Sequence, residues 1–219
     1  MRIFTDQNNK VYQFMGRLVD LFILNVLFIL TSLPVVTIGA SCVALATVSI
    51  KLHQGTNEFV VTTYLRAWLS NFGRGTALFG VNLVAGTLLL GAYRLLPLLP
   101  LLGYLISVVG ILTALFIFIP ASLYSFAYAA YYDDGFWPTL RACLLVALIK
   151  WQNSLILVVG FVALVCLITF SFFGALLVGF GLITIGFSGL AVILAGIFRR
   201  SFQPFEGNRR QHQAKELQL

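Results

Sequence analysis

The side chains that could do chemistry are few and badly spaced for it. Two histidines, His53 and His212, lie far apart in polar surroundings, so no Ser-His-Asp triad or histidine metal set forms within an apolar run. Cys42, Cys143 and Cys166 each sit in apolar context, without C-x-x-C or Cys/His metal spacing. An odd number in such runs reads as buried small hydrophobes rather than a disulfide framework. No G-x-S-x-G, Walker or dinucleotide-binding pattern occurs. Asp133 and Asp134 are adjacent, but two neighbouring carboxylates alone make a poor cation site. With Gly135 and the aromatic residues Tyr131, Tyr132, Phe136 and Trp137, they read as a helix stop, an acidic cap and an interfacial belt. The polar groups left inside apolar stretches are Asn25, Asn82, hydroxyls and the Arg17/Asp20 pair at an edge. A proton-coupled pump needs a carboxylate near mid-membrane, and none is present. Neither an enzyme nor a self-powered pump is expected, and no cofactor.

Composition names the solvent these side chains must work in. Of 219 residues, 60% are apolar and 10% charged, and mean hydropathy is +0.98. A soluble domain carries roughly a quarter charged residues, so this chain cannot cover itself with polar surface. The bilayer is its solvent. Charge-free stretches run over 21–50, 75–93, 95–132 and 151–198, against ~20 residues for one helical crossing. The last stretch must fold into two crossings, with Gly174 and Ala175 as the turn. Pro97 and Pro100 resist helix and leave 101–130 as one long span. In the first stretch, Pro34 and Gly39 mark either a kink or a tight turn between two crossings.

Lysine and arginine placement decides between those, because cytoplasmic loops collect them. Six crossings with both termini inside put thirteen of the fourteen basic residues on the cytoplasmic side and only Arg94 outside. Five crossings, the alternative, move Arg2, Lys10 and Arg17 outside as well. The expected fold is therefore all-α and polytopic, with residues 1–198 as a single helical transmembrane domain and 199–219 as a basic cytoplasmic tail. The net charge of +7 fits loops facing anionic lipid. Nucleic acid is not an expected partner, because the basic residues are spread over four membrane-proximal segments without a binding motif. Ala44-Leu45-Ala46 resembles a signal-peptide cleavage site, but the apolar run before it is too long and broken by proline. Met1 onward is read as mature protein.

Between the spans, two shorter cytoplasmic elbow helices are expected. The first runs from Phe59 to Phe72, capped by Asn57. Val61, Tyr64, Leu65, Trp68, Leu69 and Phe72 share one face, and Thr62, Thr63, Arg66 and Ser70 the other. The second, Phe136 to Trp151, is apolar nearly all round, which predicts deeper burial. A weak internal repeat relates them: Gly39-Ala40-Ser41 leads to Tyr64-Leu65-Arg66-Ala67, and Pro120-Ala121-Ser122 to Thr139-Leu140-Arg141-Ala142. Thr62, Arg66, Ser70, Arg74, Asp133 and Asp134 are the candidate partner or lipid contacts. In the last span Gly174, Gly181, Ser188 and Ala195 recur at a seven-residue interval and form a stripe for close helix packing.

The string from Asn25 through Leu33-Pro34-Val35-Val36-Thr37-Ile38-Gly39 resembles a signature of the YesL-like family of bacterial integral membrane proteins. Tyr64, Trp68, Asn71 and Phe72 resemble that family's F-x-x-A-F-x-x-N-F segment, with tyrosine and tryptophan in place of its phenylalanines. The resemblance implies a bacterial plasma membrane and frequent association with carbohydrate-uptake operons, beside ABC importers. It carries no catalytic residues. Asp133-Asp134-Gly135 before an apolar helix is also similar to the coupling loop of ABC permeases, without that loop's Glu-Ala-Ala start or Ile-x-Leu-Pro end. The leading expectation is a non-catalytic accessory or component of bacterial carbohydrate uptake, partnered by the bilayer and by ABC-importer subunits or another membrane protein. The alternatives are an autonomous small-solute channel lined by Asn25 and Asn82, and a membrane regulator acting through its cytoplasmic face.

Overall fold

The structure is a computed structural model that describes residues 10–54, 59–132, 135–170 and 172–196. The regular elements among them are all helical: α1 (Lys10–Ser32), α2 (Ile38–Gln54), α3 (Val60–Ser70), α4 (Phe72–Leu95), α5 (Leu101–Tyr131), α6 (Phe136–Ile149), α7 (Trp151–Phe170) and α8 (Phe172–Gly181). A π turn over Leu182–Gly186 carries α8 into α9 (Phe187–Gly196). Among the described residues, five segments are long and apolar enough to cross a bilayer: Met15–Ser32, Val35–Leu52, Phe72–Leu98, Leu101–Tyr131 and Trp151–Thr169. Residues 172–196 are divided by the π turn and do not add a sixth uninterrupted one. Large apolar side chains such as Leu88, Leu102, Ile106 and Phe180 stand exposed on the outside, the kind of surface that lipid covers.

Pro34 makes a turn and not a kink. The Thr31 and Ser32 hydroxyls bond back to the Leu27 and Phe28 carbonyls at 2.9 and 2.5 Å, closing the last turn of α1. Pro34 then takes extended backbone before a 3-10 turn over Val35–Thr37. Leu24 and Phe28 of α1 pack on Ala44, Leu45 and Val48 of α2, so the two helices fold back on each other. Residues 96–100 form a short turn ahead of α5, whose start is set by Pro100.

Helices α2 and α5 form the centre. Small residues let α2 in: Gly39, Ala40, Ser41 and Ala44 are buried, and without bulk its backbone approaches its neighbours closely. A Cβ on Gly39 would come within 2.0 Å of the Gly75 carbonyl oxygen, so α2 and α4 cross there backbone to backbone. Val43, Leu78 and Ala129 join α2, α4 and α5. Tyr124, Ala127 and Tyr128 of α5 pack with Cys143, Val146 and Ala147 of α6 and Leu157 of α7.

Three expectations need correction. Gly174 and Ala175 lie inside α8 and are not a turn; glycine is tolerated in helices surrounded by lipid and neighbouring helices. The short helix α6 is no more deeply buried than α3: Trp137, Leu145, Leu148 and Ile149 are exposed. Its apolar character all round reflects protein on one side and lipid on the other. Among the cysteines, Cys143 is buried, Cys42 half-buried and Cys166 exposed on α7, so the three do not share a buried setting.

The two short helices end in similar joints. Asn71 ends α3 and Lys150 ends α6, each followed at once by a long helix. The amides of Gly75 and Ser154 bond to the Asn71 and Lys150 carbonyls at 2.7 and 3.0 Å, and both residues are buried.

Candidate functional site

Polar side chains gather in four places, and three of them brace helices. At the Pro34 turn, Thr37 donates to the Thr31 and Pro34 carbonyls at 2.5 and 2.7 Å. Ser41 donates to Thr31 Oγ1 at 3.0 Å, and the Tyr64 hydroxyl lies 2.6 Å from the same oxygen. This knot ties α3 to the α1–α2 hairpin. Burial pushes the Tyr64 hydroxyl above its ordinary pKa, against the lowering by its bonds to Thr31 and Ser41, so it stays protonated. Trp68 packs edge-on against Phe72, ring centroids 5.4 Å apart. Asn71 Nδ2 bonds to the Ala67 carbonyl and to Ser70, while Leu33 is exposed at the turn.

Asn25, fully buried, forms the second brace. Its Nδ2 donates to the Ile183 carbonyl at 2.7 Å, and its Oδ1 accepts the Ser188 amide at 3.3 Å. Ser188 in turn donates to the Leu21 carbonyl at 2.7 Å. A π turn breaks the regular backbone ladder, and Asn25 supplies partners for groups beside it. The third brace is Asn82, which donates to the Leu78 carbonyl at 2.9 Å and accepts from Ser122 at 2.7 Å, joining α4 to α5. Both amides are thus occupied in holding helices together. Of the seven-residue stripe, Ser188 and Ala195 are buried, whereas Gly174 and Gly181 are half-exposed; a Cβ on Gly181 would meet nothing within 4 Å.

The fourth place is open. A groove of about 520 Å³ between α2, α3 and the end of α5 is lined by Thr47, Lys51, Thr62, Thr63, Arg66, Ser70, Asn71, Ala129 and Ala130, among others. Three sequence candidates, Thr62, Arg66 and Ser70, meet here. Helix α3 places them because it has three stripes and not two faces. Val60, Tyr64 and Ala67 are buried against α1 and α2. Val61, Leu65 and Leu69 are exposed. Thr62, Arg66 and Ser70 form the third stripe and face the groove. Arg66 is exposed.

Arg74 lies apart from the groove lining. Its guanidinium donates to the Ala129 carbonyl at 3.0 Å and to the Tyr132 carbonyl, placing positive charge at the C-terminus of α5, where the helix dipole favours it. Asp133 and Asp134 lie outside the described residues. Sequence reasoning missed Thr47 and Lys51 as lining residues. The only signal was Lys51 itself, the first charge after a long apolar run.

The described chain is thus an all-helical protein with several helices suited to a bilayer, braced internally by amides and hydroxyls, with one polar groove at a charged end. Residues 21–93 match the family described as "Protein of unknown function, DUF624". The matched part holds the Pro34 turn, α2, α3 and most of α4. No curated protein and no solved structure matches the chain.

Proposed function

We propose that the chain is a YesL-like, non-catalytic protein of the bacterial plasma membrane. In this reading it crosses the membrane six times, with both termini cytoplasmic. α8, the π turn and α9 together supply the sixth crossing, since 172–196 is one helical run of sufficient length, and the lysine/arginine asymmetry sets the orientation. α3 and α6 are the cytoplasmic elbows. Its role is that of an accessory to carbohydrate uptake, with the α2/α3/α5 groove as the recognition site.

One observation carries this reading. The polar side chains deep in the bundle are engaged between helices, while those of the α3 polar stripe open into a groove. The engaged amides of Asn25 and Asn82 also weigh against a solute path lined by them. The carbohydrate connection comes from the sequence resemblance alone.

The test separates docking from lipid anchoring. Thr62→Ala with Ser70→Ala removes polar contacts and leaves charge unchanged. Under the docking reading, this pair lowers recovery of ABC-importer subunits with the gently solubilised chain and slows sugar-dependent growth, while membrane insertion stays normal. Unchanged recovery beside an impaired Arg66→Glu variant would leave α3 as a lipid anchor and remove the accessory role.

A further inference from the structure

The groove has a chemistry narrower than docking in general. Lys51 and Arg66 line it beside Thr62 and Ser70, whose hydroxyls donate to the Phe59 and Ala67 carbonyls of their own helix, and no acidic side chain lines it among the described residues. Two cations at one groove suit an anionic oxygen cluster such as a phosphate.

The groove also sits at the level of an interface. Arg74 at the start of α4 binds the Tyr132 carbonyl at the end of α5, and Ala130 of that same end lines the groove beside Lys51 of α2. Trp137 and Trp151 are exposed at the starts of α6 and α7. Such a mixture of cations and aromatic rings marks the headgroup layer. The opposite end, around Leu95–Leu101, carries a single basic residue, Arg94, beside the exposed rings of Tyr93 and Tyr104.

The neighbouring stripe of α3 supplies what a soluble phosphate would not use. Val61, Leu65 and Leu69 are exposed, and each precedes a groove residue by one position. One residue is about 100° around a helix, so the apolar stripe adjoins the polar one along its length. A ligand with an anionic head and an acyl tail can therefore occupy both.

We propose that the groove is a headgroup site for an anionic phospholipid, its phosphate held by Arg66 and Lys51 and its acyl chain lying along Val61, Leu65 and Leu69. This rests on the reading of the groove as a recognition site and not on the accessory role. Bound lipid then sets the position of α3, and so ties any docking at that helix to membrane composition.

The test uses the full-length chain in mild detergent, titrated with phosphatidylglycerol or with phosphatidylcholine of the same acyl chains. Thermal unfolding and native mass spectrometry of retained lipid are the readouts. Phosphatidylglycerol is expected to raise the unfolding temperature and be retained, and phosphatidylcholine is not. One basic residue near an anionic surface is worth about a fivefold change in affinity, so Arg66→Gln is expected to weaken phosphatidylglycerol binding about fivefold. Arg66→Lys restores most of it, and Arg94→Gln at the opposite end changes nothing. Arg66 is exposed, and an unfolding temperature unchanged without lipid shows that the variant folds.

Equal responses to the two lipids, or a wild-type response from Arg66→Gln, would overturn the site. Inorganic phosphate matching phosphatidylglycerol at equal concentration would overturn the lipid in favour of a soluble anion. Loss of importer subunits from Arg66→Gln with lipid retention intact would assign the groove to a protein and overturn the lipid. Partner recovery is read on the same preparations as lipid retention. If only the neutral Thr62/Ser70 pair fails to affect partner recovery, the accessory reading falls and the headgroup site stands.

Discussion

Asn25 shows how a single polar residue earns a place in an apolar helix. Its amide presents one donor and one acceptor to the Ile183 carbonyl and the Ser188 amide, and leucine of similar size would present neither. Hydrogen bonds between helices in a membrane contribute about 0.6–2 kcal/mol, and buried backbone groups left unsatisfied cost about 1–3 kcal/mol. Asn25→Leu is therefore expected to destabilise the solubilised protein by about 1–2 kcal/mol, despite raising hydropathy. Thermal unfolding in detergent measures it. The amide exchange of residues 183–188 should rise with it, because the π turn loses its partner. A variant as stable as wild type would mean that the turn holds its own backbone. Asn25 was legible in the sequence as an intramembrane amide, but not its partner, which lies more than a hundred and fifty residues away along the chain.

At the scale of elements, glycines separate two kinds of helix contact. At Gly39 and Gly75 the backbones of α2 and α4 meet: a Cβ on Gly75 would lie 2.7 Å from Ala40 Cα. Neither backbone can yield without moving its helix, and overpacking of this kind costs about 1–3 kcal/mol. Gly39→Ala is expected to lower the unfolding temperature, whereas Gly181→Ala, with open space around it, is expected to leave it unchanged. Equal effects at the two positions would show that the α2–α4 crossing relaxes. The seven-residue stripe thus divides by position, since Ser188 is buried against α1 and Gly181 is not. A repeat in sequence shows which residues share a helix face, but not how far along that face a neighbour extends.

For the whole molecule, the decisive quantity is orientation. Cysteines replacing Gln7, Gln213 and Leu98 singly, in a chain with Cys42, Cys143 and Cys166 changed to alanine, report it through an impermeant thiol reagent on intact cells. Leu98, exposed between α4 and α5, is expected to be labelled, and the other two shielded. Labelling at position 7 would mean five crossings. The groove at the Lys51 end would be expected on the cytoplasmic side, and Ser70→Cys, which lines it, should be shielded in cells and labelled in open membranes.

The sequence by itself determined the helical class and the long apolar segments, because both follow from hydropathy over a window, and it marked a break at Pro34, where the missing backbone donor allowed a kink or a turn. Only the tertiary structure decided which apolar faces are core and which meet lipid. Hydropathy cannot separate them, since a lipid tail and a leucine on a neighbouring helix are equally apolar. For that reason α3 read as having one apolar face when it has two: Val60, Tyr64 and Ala67 turn inward, and Val61, Leu65 and Leu69 turn outward. For the same reason nothing in the sequence placed Lys51 in a groove, which α2, α3 and α5 close around it. Spacing along one helix is local, whereas the neighbour that covers a face is set by chain topology.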